Sequence, residues 1–237
     1  EAVELKPGNK QANLSKAGYL IKQAKYEEAH DLIKNLMMLN PDDDVKFVFA
    51  SILFNMGEYA KCIEVMLQIS SNYKKQEKLF YYYLGVSYFE VQNYEKANLN
   101  LEKAAEADPE NKKTYYYMAQ SLFDYARYYE DDNKDYYLKA LENLKKAQDV
   151  SNDYKYVWLR AKIYAKLNDY QNASLDFETA VKMNPSDQNL LSDKLKFVKD
   201  DVKVPEIPEK SVKDENDGDI LAEQKTVAKP EQKKIDL

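Results

Sequence analysis

One histidine, His30, and one cysteine, Cys62, are the side chains on which nucleophilic, acid–base or metal chemistry would most readily be built in this chain. Neither has a companion. A nucleophile needs a second group to activate it, and a structural zinc needs four nitrogen or sulfur ligands at short spacing. His30 follows Ala29 on an apolar-periodic stretch. Cys62 stands where the corresponding stretches carry alanine, so both read as structural residues. A single cysteine forms no internal disulfide and leaves the redox compartment open. No glycine-rich loop suits a phosphate, and the many carboxylates are scattered. An enzyme, a bound cofactor or a metal is therefore not expected.

The chemistry in supply is that of contact. The chain holds 21 tyrosines, 8 phenylalanines and one tryptophan, Trp158. Aromatic bodies carry much of the energy of protein interfaces. A formal net charge of −6 and the lack of a basic stripe argue against a nucleic-acid partner. An acidic run, Asp42-Asp43-Asp44, falls in an expected loop. No run approaches the roughly 18 apolar residues of a membrane span, and no signal peptide is visible. The chain starts at Glu1 rather than methionine, so a removed N-terminal segment is expected. Cytoplasm and bacterial periplasm or cell envelope both stay open.

The elements that position these aromatics follow from composition and repetition. Only 5 glycines and 7 prolines among 237 residues favour long helices over tight β turns. Tyr26, Tyr59, Tyr94, Tyr137 and Tyr170 recur 33, 35, 43 and 33 residues apart. Three positions after each stands a small residue (Ala29, Cys62, Ala97, Ala140, Ala173). Four further on stands a bulky one (Ile33, Met66, Leu101, Leu144, Phe177). Preceding stretches carry Ala17, Ala50, Gly85, Ala119 and Ala161, and Pro41, Pro109 and Pro185 close three copies. Two helices crossing closely need a small residue at the crossing, a tyrosine fills the wedge between hairpins, and proline ends the second helix.

The clearest copy, with Tyr81, Leu84-Gly85, Tyr88, Tyr94, Ala97, Leu101, Ala104 and Pro109, resembles the tetratricopeptide repeat, whose period is about 34 residues. The resemblance covers about residues 10–187. It implies an all-α, right-handed α–α superhelix of about five helical hairpins, at 10–42, 43–77, 78–111, 112–153 and 154–187. The fourth copy departs from the pattern with about nine extra residues between Phe123 and Tyr136, read as a longer first helix and a polar turn at Asp131-Asp132-Asn133. Lys74 replaces the closing proline of the second copy, and Lys16 and Arg160 stand where leucine is usual.

Residues 1–9 read as the tail of a preceding repeat or as a helical lead-in. Residues 188–200 read as an amphipathic capping helix with Leu190, Leu191, Leu195 and Val198 toward one face, since terminal repeats need a cap. From 201 to 237 the composition turns to Lys, Glu, Asp and Pro, which predicts a disordered charged tail.

The resemblance places the second, fifth, ninth, twelfth and thirteenth positions of each first helix on a concave face. The partner-binding groove expected from it is formed by Phe47, Phe54, Tyr82, Val86, Phe89, Tyr116, Gln120, Phe123, Trp158 and Lys162. The acidic-tail clamp used on heat-shock chaperones needs lysine and asparagine at the fifth and ninth positions. Those pairs here are Leu14 and Gly18, Phe47 and Ser51, Tyr82 and Val86, Tyr116 and Gln120, Trp158 and Lys162, so a chaperone C-terminal tail is disfavoured. The expected function is a scaffold or adaptor seating a partner protein's extended segment or amphipathic helix. The alternative is an interaction module of a larger enzyme or envelope-assembly protein whose chemistry lies in a missing N-terminal part.

Overall fold

The computed structural model describes residues 9–39, 41–73, 75–129, 134–147 and 153–201. The described residues all lie within one compact unit, 1–202. Residues 1–8 of the expected lead-in 1–9, Lys74, the expected turn at Asp131-Asp132-Asn133 and the tail after 201 lie outside them.

Eleven helices and no strand occur among the described residues. They pair as hairpins: α1 (Lys10–Lys22) with α2 (Tyr26–Leu39), α3 (Asp43–Asn55) with α4 (Tyr59–Met66), and α5 (Glu77–Glu90) with α6 (Tyr94–Ala107). Then come α7 (Lys112–Tyr128) with α8 (Lys134–Lys146) and α9 (Tyr154–Lys166) with α10 (Tyr170–Met183), followed by α11 (Gln188–Asp201). Successive hairpins stack, and first helices also touch the first helices of their neighbours. This is the solenoid of the tetratricopeptide fold.

Local chemistry sets the helix starts. Asn9, Asp42, Asn93, Asp153 and Asp169 each accept a backbone N–H of the first helical turn through the side chain. The four hairpin turns among the described residues share one geometry. Ala24, Gly57, Gln92 and Asn168 all take a left-handed backbone (φ +56° to +78°), each two residues before the turn tyrosine. The next N–H reaches back five residues, Lys25 to Leu20 and Asn93 to Tyr88, which closes the first helix.

The small crossing residues Ala17, Ala50, Ala119 and Ala161 are fully buried, as are Ala29, Cys62, Ala97, Ala140 and Ala173. A Cβ built on Gly85 would lie 2.8 Å from Leu101 Cγ and 3.0 Å from Leu101 N, so this hairpin closes only over glycine. The bulky Ile33, Met66, Leu101, Leu144 and Phe177 are buried as well.

Three local departures matter. Helix α4 stops at Met66, and Gln68 and Ile69 bond back three residues before Ser70-Ser71-Asn72, where the Ser70 hydroxyl accepts the Asn72 N–H. Ile69 stays buried in this irregular stretch. Helix α7, at 17 residues, is the longest first helix, as the insertion predicts. On α11 the expected apolar face is rotated. Leu190 is buried and Phe197 packs on Phe177 at 5.1 Å, while Leu195 and Val198 are exposed, because contact with α10 selects the 190/197 face.

Candidate functional site

The predicted groove residues divide into two sets. Val86, Phe47, Phe89 and Phe123 are buried (1, 7, 9 and 3% exposed), whereas Phe54, Tyr82, Tyr116, Gln120, Trp158 and Lys162 are half-buried. The ten expected groove residues therefore differ in how far they reach the surface. First helices of consecutive repeats touch one another, so rings near that contact become core and the others remain at the surface.

The rings nevertheless form a connected chain. Phe54 lies 4.6 Å from Tyr83 and 6.2 Å from Tyr82, and Phe47 reaches Tyr83 at 6.1 Å. Tyr82 continues to Tyr117 at 6.1 Å, which touches Tyr116 at 5.8 Å and Phe89 at 6.0 Å. Tyr83 and Tyr117 were missed by the repeat register. The readable signal was the run of three tyrosines in each helix, Tyr81-Tyr82-Tyr83 and Tyr115-Tyr116-Tyr117. Neighbours on a helix point about 100° apart, so the last ring of each run turns to the preceding repeat.

Acidic groups punctuate this surface. Glu90, at the end of α5, acts electrostatically on the phenols of Tyr59 and Tyr117, and partial burial pushes its carboxyl above the usual range. No ion pair to Glu90 occurs among the described residues. Burial also raises Asp124, opposed by Lys162 and by Arg127, whose Nη1 lies 3.3 Å from its Oδ1.

Past Asp124 the chemistry reverses. Lys162 Nζ sits 4.5 Å from the Trp158 ring centre and 5.3 Å from that of Phe123, a double cation–π contact. Burial lowers its ammonium's pKa, and Asp124 and Asp193 oppose that shift. Trp158 Nε1 donates to Asp193 on α11 at 3.2 Å, which fixes the indole. Around Lys162 opens a cavity of about 400 Å³, lined also by Arg127, Lys166, Tyr170, Phe177, Phe197 and the Asp193 carboxylate that Trp158 engages. Helix α11 stands here where a further first helix would stand, and it completes the wall. This contribution was invisible in the repeat pattern, because α11 carries none of its signature residues.

His30 packs its ring 5.3 Å from Phe49 on the hairpin stack. Cys62 is fully buried and its thiol is pushed up to about 11 by burial. Among the described residues no group of three or more His, Cys, Asp or Glu is placed to hold a metal. No helix among them is long and apolar enough to cross a membrane.

Comparison with known proteins bears on the scaffold carrying this surface. Residues 80–111 and 154–187 match the tetratricopeptide repeat family model. No curated protein sequence matches the chain. Among solved structures, YrrB, described as a TPR protein with an unusual peptide-binding site, superposes with a TM-score of 0.62 at 13% identity, over 82% of this chain and 96% of its own. MamA of Desulfovibrio magneticus RS-1 gives a TM-score of 0.58 at 18% identity, over 75% and 96%. MamA of strain AMB-1 gives 0.59 at 20%, over 74% and 99%. At these identities the likeness is one of fold. Residues 80–111 and 154–187 are thus tetratricopeptide repeats, set in a stack of five hairpins that shares their fold.

Proposed function

We propose that the chain is an interaction scaffold that seats an extended segment or amphipathic helix of another protein against the first helices of its repeats. The observation that carries this reading is the run of half-buried rings on those helices (Phe54, Tyr82, Tyr116 and Trp158), backed by the buried Phe47, Phe89 and Phe123. Rings held by a rigid core but open on one side lose little entropy on binding, and they are where interface energy concentrates. YrrB, which shares the fold, is described as having a peptide-binding site, in keeping with this use of the architecture.

The test is a paired substitution on the open rings. Tyr82→Ser with Tyr116→Ser removes two half-buried phenols and spares the buried phenylalanines. The wild-type chain is expected to retain a specific co-purifying protein that the variant loses, with helicity by circular dichroism unchanged. An identical retained set with both chains overturns the proposal.

A further inference from the structure

The thirteenth positions of the last three first helices read Glu90, Asp124 and Lys166. One repeat surface thus changes sign along the stack. On the Glu90 side a carboxylate borders the phenols of Tyr59 and Tyr117 without an ion pair. On the other side Lys162 is sunk between two aromatic rings with no carboxylate within ion-pair distance among the described residues. The half-buried Lys162 ammonium lies on two ring faces with Asp124 and Asp193 near it but beyond ion-pair distance, so it is incompletely compensated. Glu90 is an exposed carboxylate with no counter-ion among the described residues. Each has a complementary ligand: a guanidinium or ammonium for Glu90 among its tyrosines, a carboxylate for the Lys162 cavity. Asp124, already engaged by Arg127, marks the boundary.

Resting on the scaffold reading above, we propose that the groove selects a partner segment bearing both charges, a basic side chain docked at Glu90 and an acidic one in the cavity at Lys162, with apolar residues between them. Opposite sockets at the two ends also fix the direction in which the segment lies. A reversed segment would set like charges against each other, and like-charge juxtaposition is what suppresses wrong docking. The sockets are two repeats apart. At a helix spacing of 8–10 Å that is on the order of 20 Å, or about six residues of extended chain.

Selection of a phage-displayed library of random twelve-residue peptides on the immobilised full-length chain tests this directly. The expected winners pair Lys or Arg with Asp or Glu about six positions apart, in one constant order, around aromatic or aliphatic residues. E90Q is expected to abolish the basic preference alone, and K162M the acidic preference alone. For a synthetic peptide of the winning sequence, E90Q is expected to weaken binding about tenfold, and the loss should vanish when the peptide's own basic residue is Gln. Enrichment of apolar peptides without charge order overturns this inference and leaves the scaffold reading standing. No enrichment of any kind overturns both.

Discussion

Arg160 on α9 clasps Asp176 on α10 with two parallel bonds, Nε to Oδ2 at 2.6 Å and Nη2 to Oδ1 at 2.8 Å. Asp176 is 5% exposed, so the pair lies at the edge of the hairpin core where the repeat pattern calls for leucine. Arg160→Ala would strand a buried carboxylate. A loss of about 2–3 kcal/mol is expected in urea unfolding, below the range for fully buried pairs because the guanidinium is partly solvated. The double variant Arg160→Leu, Asp176→Leu should recover most of that loss. Equal losses in the two variants would show that the pair is not coupled.

Two glycines on first helices should respond oppositely to alanine. At Gly85 the new methyl meets the backbone nitrogen of Leu101, and separating the helices is expected to cost about 1 kcal/mol net of helix propensity. At Gly18 nothing lies within 4 Å of the added Cβ, so Gly18→Ala should gain about 0.5–1 kcal/mol. Thermal melts of the two variants decide it, with opposite signs of the midpoint shift as the required outcome.

Gln92 holds the left-handed turn position that Gly57 fills one repeat earlier. Gln92→Gly relieves the Cβ penalty there, and a gain of about 1 kcal/mol is expected. A lower melting temperature in this variant would contradict the shared-turn account.

The lone tryptophan reports on α11. Asp187 accepts the N–H groups of Leu190 and Asn189 and the Tyr154 hydroxyl, which together hold its carboxyl below the usual aspartate value of 3.8. Its folded pKa is depressed, so its contribution is complete above 3.8 and is lost as pH falls through the lower folded value. Trp158, bonded to Asp193 of that helix, should therefore shift its emission to the red on acidification, and Asp187→Asn should blunt the change. Emission that stays constant to pH 2 would show that this cap does not hold the helix.

Cys62 should resist thiol reagents in the folded chain, since burial suppresses its thiolate and leaves the side chain without exposure. Reaction with Ellman's reagent is expected only with global unfolding, at a rate that follows denaturant concentration. Rapid labelling under native conditions would contradict the packing described.

The hairpins were legible because their constraint is local and repeated. A tyrosine at each turn, a small residue at each crossing and a bulky one a turn later are demanded by the same contact five times over. What escaped depends on a second layer of packing. Whether Phe54 stays open while Phe89 is buried is decided by how closely neighbouring first helices approach, and no single repeat encodes that distance. The face of α11 escaped for a similar reason. Leu195 and Val198 suit an amphipathic stripe as well as Leu190 and Phe197 do, and only the docked α10 chooses between them. The early end of α4 was hidden because Met66 and Leu67 continue the apolar pattern into Ser70-Ser71-Asn72, where side chains compete for the backbone.

Phe47, Phe89 and Phe123 sit inside the solenoid just beneath the rings that face outward. Opening or tightening the curve would slide these three against their neighbours, and close-packed interiors resist such sliding. The surface above them therefore behaves as a ruler of fixed pitch. On the proposed scaffold reading, a bound chain would have to match its graduations, because the scale itself does not stretch to meet it.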